Sequence, residues 1–353
     1  MQRADHDLAF MLQYENVAWY EDGAVKILDR RVYPTTVRFE ICRSHKEVAL
    51  AIKDMVTQSA GPYSAAAMGM VLAAYECKDK PLADQLVYLE DAANTLSTAR
   101  PTTTARMRQV TGKSLDAAKA AAEKGENLVD ALFDAAIAAN ESRYRKVEAL
   151  SRHLVSVFPN RGAIMTQCFA ETAVGMMLRI AKEEGKDVKV FCPETRPYFQ
   201  GARLTATVCR DMGADVTVIT DNMPAYVMKK EGIDLFTSAA DAITVDGHVI
   251  NKIGTYQIAI ACQYHGIPYY VTGSPERKHP DLSSITIENR DPEFVLQAMG
   301  VRTAAEGVKG YYPAFDITPP ELIKGVVTDL GIYSPFELEK YISICKNPDE
   351  MAV

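Results

Sequence analysis

The sequence predicts an α/β protein, with a mainly helical N-terminal domain that includes a small antiparallel sheet, followed by a Rossmann-like parallel α/β domain. Three observations predict this. Apolar and polar residues alternate near the N-terminus, stretches rich in Ala, Leu, Glu and Lys then extend to position 157, and short apolar runs alternate with helical segments beyond them. The 353 residues suit two domains of roughly 150 residues each. We therefore place the domains at residues 1–158 and 159–353.

The N-terminal domain opens with a strand pattern and continues as helices. Residues from Val25 to Ile41 alternate in polarity, which predicts short antiparallel strands. Ser44 and Glu47 form a capping box, so a helix should begin there and run to about Val56. A turn at Gly61–Pro62 precedes an Ala- and Met-rich stretch that is typical of a buried helix. Further helices are predicted from Pro81 to Leu96, from Ser114 to Lys124 and from Asn127 to about Val157.

The C-terminal domain begins at the turn-forming cluster Phe158–Pro159–Asn160–Arg161–Gly162. Five apolar runs follow and predict strands: Ala163 to Thr166, Val188 to Cys192, Val216 to Thr220, Leu235 to Ala240 and Tyr269 to Thr272. Helical segments separate most of them: Phe169 to Glu184, Gly201 to Met212 and Gly254 to His265. This alternation predicts right-handed βαβ units and a parallel sheet covered on both faces.

Composition and missing motifs exclude several classes of function. The net charge of −7 gives no basic excess for nucleic acid. No apolar stretch is long enough to span a membrane and no signal peptide opens the chain, so we expect a cytoplasmic protein with no membrane partner. The seven cysteines form no CxxC pair and the six histidines have no metal-ligand spacing, so we expect reduced thiols and no metal. Glycine-rich dinucleotide and P-loop motifs and a GxSxG hydrolase motif are also absent.

Polar residues follow four of the predicted strands. In an open parallel sheet, ligands bind beyond the carboxyl ends of the strands, so these positions are informative. They hold a thiol, carboxylates, a guanidinium and an amide: Gln167–Cys168, Glu194–Thr195–Arg196, Asp221–Asn222 and Asp241.

Cys168 and Asp241 each allow two interpretations. Cys168 would precede a helix whose N-terminal field lowers a thiol pKa, or it is a small buried hydrophobe. Asp241 follows a run of small or apolar residues, where a carboxylate must pair or face a cavity; otherwise it caps a helix or forms a surface salt bridge.

Two further segments suit a phosphate. Asn251–Lys252 followed by Gly254 combines an amide, a cation and a glycine at a helix start, although a solvated helix end explains the pattern equally well. Arg100, ahead of Pro101 and three threonines, offers a guanidinium and hydroxyls; the simpler interpretation is a helix N-terminus capped by Thr.

As a set, these motifs resemble the methylthioribose-1-phosphate isomerase family, which is related to ribose-1,5-bisphosphate isomerases and to the regulatory subunits of translation initiation factor 2B. The resemblance extends from about residue 17 to 335 and rests on LDRRVYP (28–34), AIKDMV (51–56), ARPTT (99–103), ETRPYFQGARLTA (194–206), ITDNM (219–223), NKIGTYQ (251–257) and PAFDITPPELI (313–323).

The resemblance implies a catalytic pair and a substrate site. The family's catalytic cysteine and aspartate fall on Cys168 and Asp241, and its substrate contacts fall on Arg100, Gln200, Asn251 and Lys252. The implied reaction is an aldose–ketose isomerisation of a pentose 1-phosphate in methionine salvage, without metal or cofactor. Asp241 would act as the acid toward the ring oxygen, which requires a pKa raised by a secluded pocket. Cys168 would either transfer the C2 proton or stabilise a hydride shift.

The sequence also departs from the family. The arginine of the family's phosphate-holding loop is absent, with Gln58 near its place; Phe169 follows the cysteine instead of Asn, and Ala242 replaces an arginine after the aspartate. These departures fit a paralogue with a changed pentose-phosphate substrate better than the standard enzyme. The isomerase hypothesis therefore covers 5-methylthioribose 1-phosphate and close analogues such as 5-deoxyribose 1-phosphate.

Two alternatives remain. Ribose-1,5-bisphosphate isomerase would need added cations for a second phosphate, and retention of Cys168 and Asp241 argues against a non-enzymatic regulatory protein. The resemblance also implies a homodimer, for which the segment Tyr311–Tyr312–Pro313 offers apolar surface.

Overall fold

The computed structural model describes residues 2–100 and 104–345, and the chain forms two compact units, Met1–Tyr144 and Arg145–Val353. The division falls within helix α6 (Leu128–Ser156). The last turns of this helix are tied to the second unit, because Glu148 pairs with Arg179 at 3.5 Å and Arg152 pairs with Glu183 at 3.3 Å. A domain boundary after residue 158, just beyond the end of α6, stays a proposal. In the described ranges, no helix is long and apolar enough to cross a membrane.

The first unit combines a small antiparallel sheet with helices. Strands β1 (Ala18–Glu21), β2 (Ala24–Leu28) and β3 (Phe39–Cys42) pair in that order. The predicted antiparallel strands are confirmed, and β1 is one more than the sequence indicated. The helices of this unit, besides the start of α6, are α1 (Tyr14–Val17), α2 (His45–Lys53), α3 (Gly61–Cys77), α4 (Leu82–Ser97) and α5 (Thr104–Lys124).

Three helices of this unit test the predicted helix starts. Ser44 Oγ accepts a hydrogen bond from the Glu47 N–H at 3.3 Å at the start of α2, as the capping box predicts. Gly61 and Pro62 are the first residues of α3 rather than a turn before it, because proline fits the first turn of a helix. Helix α5 begins at Thr104, ten residues before the predicted start at Ser114.

The described part of the second unit contains strands β4 to β15 and, besides the end of α6, helices α7 to α11. Its strands are β4 (Arg161–Met165), β5 (Asp187–Pro193), β6 (Val216–Ile219), β7 (Leu235–Ala239), β8 (Ala242–Ile243), β9 (Val249–Lys252), β10 (Tyr269–Thr272), β11 (Gln297–Ala298), β12 (Val301–Arg302), β13 (Phe315–Thr318), β14 (Gly325–Thr328) and β15 (Gly331–Tyr333). Its helices are α7 (Thr172–Glu183), α8 (Ala206–Asp211), α9 (Pro224–Val227), α10 (Thr255–His265) and α11 (Leu338–Ile344), with π-helical turns at Gly201–Thr205 and Met228–Gly232.

The main sheet has the order β15-β14-β10-β7-β4-β5-β6. All its pairings are parallel except β14 with β15 at one edge. The predicted Rossmann-like parallel sheet is therefore confirmed. The chain runs from β4 outward through β5 to β6, and then crosses to the other side of β4 to form β7. This change of direction is a topological switch point, where open α/β sheets bind their ligands.

A second, three-stranded sheet has the order β13-β9-β8, and all its pairings are antiparallel. It places Asn251 opposite Asp316 and Lys252 opposite Phe315. The sequence pattern did not indicate this sheet, because each of its strands has at most four residues.

Candidate active site

The switch point brings the two predicted reacting residues to neighbouring strand ends. Cys168 follows β4 and Asp241 follows β7, and these strands pair in parallel with Met165 opposite Phe236. Both chain segments therefore leave the sheet at the same edge, side by side.

The backbone of Cys168 is held in an unusual conformation. Its φ is 58°, in the left-handed region that non-glycine residues rarely adopt. Its N–H donates to Thr195 Oγ1 at 3.1 Å, and its carbonyl accepts a hydrogen bond from the Thr205 hydroxyl. The backbone of Cys168 is thus held on both sides by threonine hydroxyl groups.

Thr195 is itself strained and anchored. Its φ is 62°, which is an outlier for a β-branched residue. Asp221, after β6, accepts hydrogen bonds from the backbone N–H groups of Thr195 at 2.8 Å and of Arg196 at 2.7 Å. Gly201 packs directly beneath this loop, where a Cβ atom would lie 1.8 Å from the Pro193 carbonyl oxygen. Three strand ends are therefore joined into one support for Cys168.

The Cys168 thiol is half-buried, and burial raises its pKa to about 11. The charges of Lys252 and Arg290 lower the pKa, while Asp241 raises it. The expectation of a pKa lowered by a helix field was wrong. Helix α7 begins only at Thr172, four residues later, so the thiol does not sit in its first turn.

Asp241 does not lie in a closed pocket. Its side chain is exposed, and its backbone N–H donates to the Ile250 carbonyl at 2.8 Å. The secluded pocket that the sequence argument required is therefore not present around this carboxylate, and that expectation was wrong.

Asn251 and Lys252 are both buried at the end of β9. Asn251 Nδ2 donates to Thr255 Oγ1 at 3.1 Å, and Lys252 Nζ donates to the Ala314 carbonyl at 3.1 Å. A buried ammonium needs such partners, and its charge acts on the Cys168 thiol, so Lys252 is a buried cation close to Cys168 and not a solvated helix end.

Asp316 closes the start of α10 next to these residues. Its Oδ2 accepts hydrogen bonds from the N–H groups of Gly254 at 2.7 Å and of Tyr256 at 3.2 Å. Burial raises its pKa to about 6, against the lowering effect of those N–H groups and of Lys252. The helix N-terminus at Gly254 is thus occupied by a side chain of this chain.

The other predicted residues are placed as follows. Gln200 is buried and immediately precedes the Gly201–Thr205 turn, whose last hydroxyl bonds to the Cys168 carbonyl. Arg100 lies in the first unit, four residues before Thr104, whose hydroxyl donates to its carbonyl at 3.2 Å. Residues 101–103 lie outside the described residues. Gln58, also in the first unit, is buried, and its carbonyl accepts a 2.6 Å hydrogen bond from Arg30.

The Arg196 guanidinium binds backbone carbonyls through one of its nitrogens. Its Nη2 donates to the carbonyl of Gln297 at 2.8 Å and, more weakly, to those of Phe294 and Val295. It therefore holds the 294–297 segment, which leads into β11, next to the loop that follows β5.

Sequence reasoning missed Arg290 and Tyr312, both of which act electrostatically on the site. They come from a segment with little regular structure, so no periodic pattern marked them. Among the described residues, no three His, Cys, Asp or Glu side chains are arranged to hold a metal ion. The site thus combines a protonated thiol, an accessible carboxylate and two cations, a set suited to moving protons or hydride within an anionic substrate.

Comparison with known proteins finds one family model and several similar isomerases. A model of the initiation factor 2 subunit family matches residues 57–335. The methylthioribose-1-phosphate isomerase of Chloroflexus aurantiacus is 37% identical over 90% of this chain and 94% of its own length, and that of Thermotoga petrophila is 36% identical over 92% and 96%.

Two solved structures, each 30% identical to this chain, have a similar fold over most of its length. The 5-methylthioribose 1-phosphate isomerase of Pyrococcus horikoshii OT3 has a TM-score of 0.82 at 30% identity and covers 95% of this chain and 99% of its own. Subunit delta of translation initiation factor eIF-2B from A. fulgidus has a TM-score of 0.77, also at 30% identity, over 91% and 96%.

Proposed function

The chain belongs to the initiation factor 2 subunit family and, within it, to the methylthioribose-1-phosphate isomerases, and from this premise we propose how its site performs the reaction. It is an aldose–ketose isomerase that converts a pentose 1-phosphate to a ketose 1-phosphate. The proposed substrate is 5-methylthioribose 1-phosphate or a close analogue such as 5-deoxyribose 1-phosphate, in methionine salvage. The main support is that Cys168 and Asp241 follow neighbouring parallel strands at the switch point. The chain is also 37% identical to the methylthioribose-1-phosphate isomerase of Chloroflexus aurantiacus.

Asp241 is the proposed acid and base. Phosphate on the anomeric oxygen blocks spontaneous ring opening, so an acid must protonate the ring oxygen as its bond to C1 breaks. The same carboxylate then takes the proton from the C2 hydroxyl as C2 becomes a ketone. Asp241 is exposed, so we infer that a sugar seated against it supplies the burial that a carboxylic acid needs near neutral pH.

Cys168 is the proposed partner at C2. A thiol with a pKa of about 11 is protonated near neutral pH and is therefore a poor base for the C2 hydrogen. This favours the route in which the C2 hydrogen moves with its electron pair to C1, with the thiol beside it. Substrate labelled with deuterium at C2 tests the route: deuterium should stay at C1 of the ketose product, and its exchange with solvent would support proton transfer instead.

Arg100, Gln200, Asn251 and Lys252 are the proposed substrate-binding residues. Lys252 has the clearest support, because its ammonium is buried, donates a hydrogen bond to the Ala314 carbonyl and carries a positive charge that acts on the Cys168 thiol.

The two alternatives are less well supported. The curated relatives compared above are methylthioribose-1-phosphate isomerases, not ribose-1,5-bisphosphate isomerases. A regulatory role like that of initiation factor subunits would not require a thiol and a carboxylate at the switch point, whereas an isomerase does.

A homodimer and a cytoplasmic location also remain proposals. Tyr312 is buried, so only Tyr311 of the tyrosine-rich segment is available to a partner. A better surface lies on α10, where Tyr256, Ile260 and Tyr264 are exposed on one face at four-residue spacing. All seven cysteines are free, which fits a reducing compartment. Sedimentation showing only monomer at micromolar concentration would contradict the dimer.

Activity against a panel of pentose 1-phosphates tests the function. We expect turnover of 5-methylthioribose 1-phosphate or 5-deoxyribose 1-phosphate to the ketose, followed by NMR, with no added metal or nucleotide and in the presence of a chelator. Turnover of ribose 1,5-bisphosphate alone, or of none of these compounds, would contradict the proposal.

A further inference from the structure

Gln167 lies two residues after β4 and directly before Cys168, and it is 3% exposed. Its amide nitrogen Nε2 donates to the Ile253 carbonyl at 3.3 Å, and its Oε1 faces the Thr195 hydroxyl at 3.4 Å. That hydroxyl shares its one proton between this oxygen and the Pro193 carbonyl at 3.2 Å. Because a carbonyl can only accept, the amide must turn its nitrogen toward Ile253. The firmer link therefore runs from Gln167 to the turn after β9.

The turn after β9 is also held by β13. The Ile253 N–H and Lys252 Nζ both donate to the Ala314 carbonyl, each at 3.1 Å. These bonds tie the turn to its own three-stranded sheet. The amide of Gln167 ties the same Ile253 peptide to the end of β4 in the main sheet. The two sheets are therefore joined through one backbone segment, directly after Lys252.

Gly254 shows how closely Gln167 approaches this turn. Its φ is 103°, and a Cβ atom there would lie 3.1 Å from Gln167 Nε2, closer than side chains normally pack. A second amide, that of Gln257 on α10, donates to the Asp221 carbonyl after β6 at 3.0 Å. Gln257 is exposed, whereas Gln167 is buried and adjoins the thiol. Gln167 is therefore the link placed to act on the proposed chemistry.

We propose that Gln167 is a positioning residue, which holds the Asn251–Lys252 segment at a fixed distance from the Cys168 thiol. One side chain sets this distance, because the backbone of Gln167 leads into Cys168 while its amide is bonded to the peptide that follows Lys252. The consequence for turnover rests on the proposed function, in which Asn251 and Lys252 bind the substrate. The spacing itself does not, because the charge of Lys252 lowers the pKa of the Cys168 thiol directly.

A purely structural role is the competing explanation, because a buried amide that satisfies a backbone carbonyl also stabilises the fold. Gln13, in the first unit, is the matched control: its Nε2 donates to the Leu8 carbonyl at 3.2 Å, and its Oε1 accepts from Asn16 Nδ2 at 3.4 Å. Gln167→Met and Gln13→Met each remove such a pair of bonds at nearly constant volume, so both should lower the melting temperature. Only Gln167→Met should alter Cys168.

The first test is the rate at which iodoacetamide alkylates Cys168 in the full-length protein, followed by mass spectrometry and normalised to the folded fraction. At a pH below the thiol pKa of about 11, this rate follows the fraction of thiolate. If Gln167→Met lets Lys252 move away, less thiolate forms, so we expect the rate to fall about 3-fold or more and to stay the same in Gln13→Met. An unchanged or faster rate in Gln167→Met would overturn the proposal, whatever its turnover.

A Lys252→Gln background shows whether Gln167 acts through this lysine. The replacement keeps a donor for the Ala314 carbonyl and removes the charge, so adding Gln167→Met should change the alkylation rate no further. An equal fall in both backgrounds would mean that Gln167 acts on the thiol by itself, and it would overturn the positioning role.

Turnover of 5-methylthioribose 1-phosphate is the second test. We expect kcat/KM to fall about 10-fold or more in Gln167→Met, the effect of misplaced substrate contacts, and to stay the same in Gln13→Met. Gln167→Glu keeps an oxygen toward Thr195 but, when ionised, has no donor for the Ile253 carbonyl. Its kcat/KM relative to wild type should therefore recover as the pH falls and the carboxyl gains a proton. Wild-type kcat/KM in both Gln167 variants would contradict the proposal.

These outcomes are separable from the proposed function. Slower alkylation in Gln167→Met that depends on Lys252, in a protein that turns over no pentose 1-phosphate, would keep the positioning role and reject the isomerase. Turnover by the wild type together with unchanged alkylation in Gln167→Met would keep the isomerase and reject the positioning role.

Discussion

The backbone N–H of Cys168 donates to the Oγ1 of Thr195 across 3.1 Å, and both residues have left-handed backbone angles, with φ of 58° and 62°. Such conformations cost on the order of 1–3 kcal/mol each and persist only where surrounding contacts impose them. Here the contacts are the Asp221 carboxylate below Thr195 and the Thr205 hydroxyl at the Cys168 carbonyl. The strain is therefore located at the residue that the proposed chemistry uses.

Replacing Thr195 tests whether this hydroxyl positions the thiol. Thr195→Val keeps the shape and removes the acceptor of the Cys168 N–H, so we expect kcat to fall about 10-fold to 100-fold, the usual effect of misplacing a reacting group. Thr195→Ser keeps the hydroxyl and should retain most activity. Thr217→Val, at an exposed threonine of β6, is the control. Equal losses in the Val and Ser variants would contradict a positioning role.

Gly201 should not tolerate a side chain. A Cβ there would meet the Pro193 carbonyl at 1.8 Å and Thr195 Oγ1 at 2.9 Å, so Gly201→Ala must move the loop that supports Cys168. We expect a lower melting temperature and a loss of activity in this variant. Gly112→Ala is the matched control, because a Cβ at that helical position meets nothing within 4 Å. It should stabilise the protein by roughly 0.5–1 kcal/mol. A neutral Gly201→Ala would refute the packing argument.

The raised pKa of Cys168 predicts how its alkylation depends on pH. Only the thiolate reacts, so the rate of carbamidomethylation at Cys168 should keep rising about tenfold per pH unit up to pH about 11, with no plateau near pH 8. Mass spectrometry of the labelled peptides separates Cys168 from the other six thiols. A plateau below pH 8.5 would mean that the thiolate is already formed in the free protein and would restore the proton-transfer route.

The sequence predicted those parts of the fold and site that follow from periodicity and strand ends. Cys168 and Asp241 could be selected because parallel strands deliver their last residues to one edge. Arg290 and Tyr312 could not, because they are paired through a single bridge between Asn289 and Pro313 in a long irregular segment. The pKa of Cys168 was predicted in the wrong direction, because the sequence does not show that α7 starts only at Thr172. Likewise, no pattern in the sequence reports the exposure of Asp241.

Asp316 should make stability depend on pH with a defined sign. Burial raises its folded pKa to about 6, above its ordinary value of 3.8, so ionising it costs more in the folded chain than in the unfolded one. Its contribution to the free energy of unfolding is therefore fully present below pH 3.8 and is lost as the pH rises through 6. Urea unfolding of wild type and Asp316→Asn at pH 4, 5.5 and 7.5 measures this. We expect wild type to lose stability relative to the variant as pH rises; parallel curves would contradict the assignment.

The central claim is that Cys168 and Asp241 act together at the switch point, and turnover of 5-methylthioribose 1-phosphate by single variants tests it most directly. Cys168→Ser and Asp241→Asn should each lower kcat by about 100-fold or more with folding intact. This is the scale of a lost general acid or base for Asp241, and of a misplaced group beside the migrating hydrogen for Cys168. Cys192→Ser is the control, because Cys192 is a fully buried thiol at the end of the neighbouring strand β5 and should leave turnover near that of the wild type. Near-normal turnover in Cys168→Ser or Asp241→Asn, or an equal loss in Cys192→Ser, would contradict the account.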